Sequence, residues 1–271
     1  MNTLVEQMIQ PYKAQNIYDQ KNAMKEVIQE IALCELSRAG FFGKAAFYGG
    51  TALRIFYGLD RFSEDLDFSL LHADDNFKLQ SFFPALEKAV QAYGLNVVID
   101  DKEKSSASNI QSAFLKANTK EHLTKIKFEI DVNPPDFATF ERKYRLKPIP
   151  YEVNLYDESS LFAGKLHAVI GRSWKNRTKG RDLYDYVFYL AKGARFNRKH
   201  LRARLIQSGH LTEDARFELV DIKSVLCGRF DLIDFSQAKS DIAPFIRDKR
   251  VLDVWSADFF KQITESLSER E

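Results

Sequence analysis

The sequence predicts an α+β fold, with a mixed sheet and helices in the N-terminal half and a helical C-terminal half. Short apolar or alternating segments recur between residues 45 and 155, whereas almost every segment after residue 158 has helical apolar spacing. Over 271 residues, a composition that is 45% hydrophobic and 13% aromatic is ample for a buried core. We therefore expect an α+β domain over residues 1–157 and a helical domain over residues 158–271.

The first half alternates helices and strands. Apolar residues at near-helical spacing predict a helix over 21–38, which Gly40 is placed to end. The next segments predict a buried strand over 45–48, a short helix over 51–57 and, from its two-residue alternation, a half-exposed strand over 65–71. A helix bent at Pro84 and four more strands complete this half, over residues 76–93, 95–99, 110–117, 126–132 and 151–155.

The second half has the apolar periodicity of helices almost throughout. The predicted helices span residues 161–170, 182–191, 200–207, 215–225 and 254–267.

The composition excludes several classes of protein. Cys34 and Cys227 lie far apart and form no CxxC pair, so neither a disulfide framework nor a cysteine zinc site is expected. No basic leader precedes an apolar run and no window approaches 18 apolar residues, so we expect a cytoplasmic protein that does not enter a membrane. The GxxxxGK[ST], GxGxxG, HExxH and GxSxG motifs are absent, which leaves carboxylates as the candidate catalytic groups.

The first candidate site follows the strand predicted over 45–48. This strand stops at Gly49 and Gly50 and continues as a helix from Thr51. Such a turn presents backbone N–H groups and the positive end of the helix dipole to an anion. We expect Gly49, Gly50 and Thr51 to bind phosphate.

The second candidate site is a pair of acids on the next strand. Asp65 and Asp67 are two residues apart, so their carboxylates leave the same face of a strand and can bridge two divalent cations. Only thirteen residues separate Thr51 from Asp65, and the two motifs together are far rarer than either alone. A third acid on a neighbouring strand would complete the site, and either Glu129 or Asp131 can supply it.

This arrangement resembles the nucleotidyltransferase superfamily and, more narrowly, the AbiEii/AbiGii family of abortive-infection toxins. Residues 49–53, Arg61 and 63–68 stand as the first motif of that family, and 127–129 resembles its strand motif, which favours Glu129 slightly. The spacing of Leu161, Lys165 and Ala168 and the segment 177–185 resemble its third and fourth motifs.

The resemblance implies a nucleotidyltransferase fold that binds an NTP and two Mg²⁺ ions, held by Asp65, Asp67 and Glu129 or Asp131. It places the acid at Asp182 in the active site beside Lys165. Lys165 and Arg172 are seven residues apart on one helix, so they share a face and could both reach a triphosphate. The remaining nucleotide-binding candidates are Arg54, Arg61 and Ser63. Treated as a surface residue, Lys165 should contribute little to stability.

The charge of the chain is unevenly distributed. Residues 139–204 contain sixteen Lys and Arg and six Asp and Glu, a net charge of +10, whereas the rest of the chain carries −8. We expect the basic segment 172–204 to bind RNA. The predicted activity is transfer of NMP from an NTP to an RNA, such as the 3′ end of tRNA, or to a protein hydroxyl.

The family resemblance further implies the toxin of a toxin–antitoxin pair, with an antitoxin protein as its partner. Two alternatives remain at this point. One is a metal-dependent nuclease, and the other is a non-catalytic nucleotide-binding protein on the same scaffold.

Overall fold

The computed structural model describes residues 3–102, 109–118, 123–173 and 178–270. The chain divides into two compact units. Unit 1 comprises Met1–Phe56, Phe62–Pro134 and Phe140–Leu155, and unit 2 comprises Tyr57–Arg61, Pro135–Thr139 and Tyr156–Glu271. Two short segments of the first half, Tyr57–Arg61 and Pro135–Thr139, therefore belong to unit 2. The prediction of a single boundary at residue 157 did not include them.

Unit 1 is built on a seven-stranded mixed sheet. Its strands are β1 (Ala45–Tyr48), β2 (Leu66–Leu70), β3 (Asn96–Lys102), β4 (Ile110–Asn118), β5 (Leu123–Asp131), β6 (Phe140–Arg145) and β7 (Tyr151–Tyr156). Their order in the sheet is β3-β4-β5-β2-β1-β7-β6. The β1/β2, β3/β4 and β4/β5 pairs are antiparallel, whereas β2/β5 and β1/β7 are parallel.

Four helices accompany this sheet, namely α1 (Thr3–Ile9), α2 (Ile17–Arg38), α3 (Gly49–Tyr57) and α4 (Phe83–Ala92). The long helix α2 begins at Asn16, whose side chain accepts two backbone N–H groups, and ends just before Gly40 at φ +75°. It packs against α4 and β5. The core beneath the sheet centres on phenylalanine rings, with Phe68 in contact with Phe41, Phe47 and Phe128.

Two elements of unit 1 differ from the sequence prediction. The helix expected over 76–93 begins only at Phe83, so Pro84 lies in its first turn and starts the helix instead of bending it. Proline fits there because the first helical N–H groups have no partner inside the helix. Strand β6 was not predicted, because its charged sequence FERKYR is that of an edge strand with no buried position.

Unit 2 is mainly helical. Its elements are α5 (Glu158–Gly171), α6 (Gly180–Ala191), β8 (Arg195–Asn197), α7 (Arg198–Gln207), α8 (Leu219–Phe230), α9 (Phe235–Ile242), α10 (Ala257–Thr264) and β9 (Ser268–Arg270), with β8 and β9 paired in parallel. Phe162 stacks on Tyr189 at 4.4 Å between ring centroids, and both are buried. Helix α8 lies later in the chain than the helix expected over 215–225, and α9 was not predicted.

The predicted α+β class is confirmed, with a mixed sheet in the first half and helices in the second. Within the part of the chain that the structure describes, no helix combines the length and the apolar character needed to cross a membrane.

Candidate active site

Strand register brings two of the predicted acids side by side. Strands β2 and β5 run parallel, with Asp67 opposite Glu129 and Ser69 opposite Asp131. The neighbours of Asp67 along the strand, Leu66 and Phe68, are fully buried, so Asp67 and Glu129 leave the other face of the sheet. Register alone therefore pairs Glu129, and not Asp131, with the aspartate of β2.

A glycine lies directly against one of these carboxylates. Gly49 has φ +82°, and a Cβ atom added there would lie 2.5 Å from Oδ2 of Asp67. A side chain at this position would be strained by the backbone and would also displace the acid. The first glycine of the Gly-Gly pair thus leaves space for the Asp67 carboxylate, a role that was not predicted from the sequence.

The hydroxyl of Thr51 connects the start of α3 to the acidic strand. Its Oγ1 donates to the carbonyl oxygen of Asp65 at 2.5 Å, and Thr51 is fully buried. Asp65 itself lies just before β2 and is half-buried. Thr51 therefore positions the DxD segment through its side chain.

Helix α2 holds the loop that leads into β2. The buried Gln29 donates from Nε2 to the carbonyl oxygens of Ser63 and Glu64, at 3.2 and 2.9 Å. Lys25 forms an ion pair with Glu64 at 2.7 Å. Gln29 was not predicted as a functional residue, although a polar residue inside the apolar repeat of a helix was the available signal.

Arg54, predicted to bind nucleotide, has partners within unit 1. Its Nε pairs with Glu26 at 2.9 Å, and its guanidinium lies 4.6 Å from the centre of the Phe62 ring. Together with the Gln29 contacts, this pairing ties α2 to both α3 and the loop before β2.

Glu129 is held by its strand neighbours. Lys127 lies 2.6 Å from Oε1 of Glu129, and the hydroxyl of Ser112 donates to the same oxygen at 3.3 Å. The carboxylate of Asp131 instead accepts the backbone N–H of Asn133 at 3.0 Å. Among the described residues, no three His, Cys, Asp or Glu side chains are grouped closely enough to hold a metal ion.

The donor chemistry of the acidic face nevertheless suits Mg²⁺, a hard cation that prefers carboxylate oxygens. Asp67 and Glu129 are adjacent in register, and the missing Cβ of Gly49 keeps space beside Oδ2 of Asp67. The acids therefore fit a divalent cation by residue type and by position on one sheet face.

In unit 2, Lys165 belongs to a buried network of ion pairs. Its Nζ lies 2.7 Å from Asp182 and 2.8 Å from Asp185. Arg172 pairs with Asp182 at 2.7 Å, and Arg61 donates to both oxygens of Asp185 at 2.6 and 2.7 Å. Helices α5 and α6 and the segment containing Arg61 are thus joined by five charged side chains.

Each charged group of this network stabilises the charged form of its partners. Burial opposes the charge on Lys165, but Asp182 and Asp185 outweigh it and raise the Lys165 pKa above its usual value. Burial would likewise raise the pKa of Asp182, yet Lys165 and Arg172 lower it to about 2. Both groups are therefore charged at neutral pH.

Two expectations for unit 2 change with this geometry. The side chain of Lys165 is only 14% exposed, so the description of it as a surface lysine is wrong, and the small contribution to stability expected from that description no longer follows. Arg61, expected to bind nucleotide, is only 2% exposed, and its guanidinium forms an ion pair with Asp185. It therefore holds that acid in position. Asp185 is fully buried and forms ion pairs with both Arg61 and Lys165.

The basic segment 172–204 is partly engaged in internal contacts. Arg198 pairs with Glu218 and lies 3.3 Å from Glu269, and Arg202 donates to the carbonyl oxygen of Glu213. Lys199 is exposed. Lys175 and Arg177, which belong to the same predicted surface, lie outside the described residues.

Comparison with known proteins supports the resemblance seen in the motifs. The sequence model of a family described as nucleotidyl transferase AbiEii toxin, type IV TA system, matches residues 31–263. No curated protein sequence matches the chain.

Comparison with solved structures gives two similar chains. A crystal structure of a candidate nucleotidyltransferase from H. pylori is 21% identical, with 89% of each chain covered and a TM-score of 0.53. The crystal structure of JHP933 from Helicobacter pylori is 19% identical, with 90% of each chain covered and a TM-score of 0.49. The first of these two crystal structures shares the fold of this protein.

The family model spans all the motifs in both units, from the Gly-Gly turn and the paired acids to Lys165 and Asp182. The chain belongs to the AbiEii family of nucleotidyltransferase toxins of type IV toxin–antitoxin systems.

Proposed function

We propose that this protein is a Mg²⁺-dependent nucleotidyltransferase that moves NMP from an NTP to a hydroxyl of an RNA or a protein in the cytoplasm. In this proposal it is the toxin of a pair, and a cognate antitoxin protein restrains it. The proposal rests mainly on one observation, the register that places Asp67 opposite Glu129. Beside these acids lies Gly49, where any side chain would collide with Asp67.

Asp65, Asp67 and Glu129 would hold the metal. Bound Mg²⁺ neutralises charge on the phosphates and on the attacking oxygen. Glu129 is preferred to Asp131 as the third acid, because Glu129 lies opposite Asp67 whereas Asp131 lies opposite Ser69.

The nucleotide would be bound through its triphosphate. Gly49 and Gly50 begin α3, so their backbone N–H groups would be available to an anion, as at other helix N-termini. As the family resemblance implies, we propose Lys165 and Arg172 as residues that supply positive charge for phosphate binding, with Asp182 fixing the position of Lys165.

The reaction is an in-line displacement at the α-phosphorus. The acceptor oxygen forms a bond to phosphorus as the bond from phosphorus to the bridging oxygen breaks, and pyrophosphate leaves with that electron pair. The proton of the acceptor hydroxyl passes to a carboxylate, for which Glu129 is the candidate.

Incubation of the purified protein with Mg²⁺, each α-labelled NTP, total RNA and total protein tests this proposal. We expect labelled acceptor and released pyrophosphate. Glu129→Gln should reduce transfer by roughly a hundredfold, because losing one electrostatic contribution costs about 3 kcal/mol. Asp131→Asn is the matched control and should retain most activity.

Three results would contradict the proposal or its assignment of the third acid. Cleavage of RNA without NTP would indicate a nuclease. Binding of NTP with no labelled product in RNA or protein would indicate a non-catalytic nucleotide-binding protein. Equal, small effects of Glu129→Gln and Asp131→Asn would place the third acid elsewhere.

A further inference from the structure

Helix α9 of unit 2 packs against the start of α6. The family motifs found in the sequence end at residue 185, so they assign no role to α9, which spans Phe235–Ile242. Helix α6, in contrast, begins inside the fourth motif and carries Asp182 in its first turn. The packing therefore joins a helix without a motif to the acid that pairs with Lys165.

The closest contact between the two helices is at Gly180, the first residue of α6. A Cβ atom added to Gly180 would overlap the carbonyl oxygen of Ala238 and would lie 3.2 Å from Cβ of Ile242. Gly180 has a helical conformation without a positive φ, so its backbone conformation does not require glycine. Glycine is required because the two helix backbones touch, and a backbone carbonyl cannot rotate away as a side chain can.

A side chain of α9 also holds the backbone just before α6. The N–H of Thr178, a fully buried residue, donates to Oε1 of Gln237. Gln237 is held in turn, because its own N–H donates at 3.0 Å to Asp234, the residue that caps the start of α9. The Gln237 side chain thus fixes the chain two residues before Gly180.

A third contact involves Arg181, the residue between Gly180 and Asp182. Its guanidinium lies 4.6 Å from the centre of the ring of Phe245, which follows α9 in the chain. A cation at this distance from an aromatic ring is attracted by the negative face of the ring. Residues 178, 180 and 181 are therefore all held by α9 or by the residues that follow it.

These contacts determine where the Asp182 side chain starts. Asp182 lies two residues after Gly180, and its N–H donates to the carbonyl oxygen of Lys179 at 3.0 Å. Its carboxylate lies 2.7 Å from Lys165 and 2.7 Å from Arg172. A displacement of the first turn of α6 would change both distances, because the side chain moves with its backbone.

We propose that α9 is a positioning element of the active site, and that Gly180 and Gln237 are positioning residues. Through them, α9 holds the start of α6 so that the Asp182 carboxylate fixes Lys165. This inference rests on the proposed function, in which Lys165 supplies positive charge for phosphate binding. It gives the C-terminal part of unit 2 a role in the reaction, although that part carries none of the family motifs found in the sequence.

The first test measures the accessibility of Lys165 without turnover. The full-length protein is treated with an acetylating reagent, and mass spectrometry of its peptides gives the acetylation rate of Lys165, with the more exposed Lys192 as internal reference. For Gln237→Ala we expect the rate at Lys165 to rise about fivefold, the effect of losing one hydrogen bond of ordinary strength. The rate at Lys192 should stay unchanged. Gln237→Glu keeps an oxygen acceptor and should behave like the parent protein.

Ile222→Val is the matched control for stability. Ile222 is fully buried in α8, and losing one of its carbon atoms lowers stability by an amount comparable to losing a hydrogen bond. The substitution alters no residue of α6 or α9, so it should leave the acetylation of Lys165 unchanged. An equal rise in Ile222→Val and Gln237→Ala would overturn the inference, because α9 would then support overall stability alone. An unchanged rate at Lys165 in Gln237→Ala would also overturn it.

The second test measures NMP transfer. Gly180→Ala places a Cβ atom against the Ala238 carbonyl, so we expect transfer to fall about a hundredfold, the effect of moving a catalytic group by about 1 Å. Gly228→Ala is the control, because Gly228 lies in α8 with nothing within 4 Å of the position of its Cβ, and it should keep full activity. Equal activities of the two variants would overturn the inference.

Thermal melting shows whether each variant is folded at the assay temperature. If Gly180→Ala does not fold, Gln237→Ala replaces it in the transfer assay. Gln237→Ala should then be about fivefold less active than the parent protein, and Gln237→Glu should restore the activity. Absence of transfer by the parent protein would contradict the proposed function alone, because acetylation of Lys165 is measured without NTP and still decides whether α9 fixes the Lys165–Asp182 pair.

Discussion

Gly49 is the residue at which backbone conformation and site chemistry coincide. Two separate constraints require glycine at this position, the positive φ and the closeness of the Asp67 side chain. A second glycine of the protein, Gly58, is subject to the first constraint only. Gly58 also has φ +82°, but nothing lies within 4 Å of the position of its Cβ. A substitution at Gly58 would therefore cause backbone strain alone, whereas one at Gly49 would cause backbone strain and also displace Asp67.

We expect Gly49→Ala to lower activity by about a hundredfold, because moving a catalytic group by about 1 Å has an effect of this size. Gly58→Ala should only lower the free energy of unfolding, by about 1–2 kcal/mol, through the strain of a positive φ. NMP transfer and urea denaturation, measured on the same preparations, check both. Equal activities of the two variants would show that the contact of Gly49 with Asp67 is unimportant.

At the scale of elements, the ion pairs of Lys165 join α5 to α6. The chain provides a surface pair for comparison, since Lys192 lies 2.7 Å from Glu158 with its side chain 40% exposed. Removing Lys165 takes from two buried carboxylates one of the two cations that each contacts, whereas an exposed pair is screened by water.

Lys165→Ala should therefore lower the free energy of unfolding by roughly 3 kcal/mol. Lys192→Ala should lower it by no more than about 1 kcal/mol. Urea denaturation at neutral pH measures both. Activity of Lys165→Ala is informative only at temperatures where the variant is folded, and a stability equal to that of the parent protein would contradict the buried network.

The same network makes α6 sensitive to acid. The pKa of Asp182 is about 2 in the folded protein, below the value of about 3.9 for an unfolded chain. Its contribution to stability is therefore complete above about pH 4 and is lost as the pH falls toward 2, by on the order of 2 kcal/mol. Asp182→Asn should flatten this part of the stability profile, whereas Asp75→Asn, at an exposed position, should leave it unchanged.

At the scale of the whole molecule, the +10 charge of residues 139–204 is not all available to a partner. Arg198 and Arg202 contact groups of the same unit, whereas Lys199 is exposed. The prediction that segment 172–204 binds RNA therefore depends on cations such as Lys199.

Lys199→Ala should make the salt dependence of tRNA binding shallower by about 0.7–0.9, without a change in thermal stability. Arg198→Ala, in contrast, should lower the free energy of unfolding by up to about 1 kcal/mol, because it breaks a half-exposed pair. A salt dependence that Lys199→Ala does not change would remove this residue from the RNA surface.

The fold class, most helices and strands, and the motif residues could be predicted from the sequence alone, because these depend on local apolar period and on residue type. The structure decided the relations between distant segments. Register in a sheet depends on which strands pair, so the choice between Glu129 and Asp131 could not be made from spacing. Burial depends on tertiary packing, so neither the ion pairs of Lys165 nor the support that Gln29 gives to the loop before β2 could be read from composition. The edge strand β6 was missed for a related reason, since an exposed strand carries no apolar alternation.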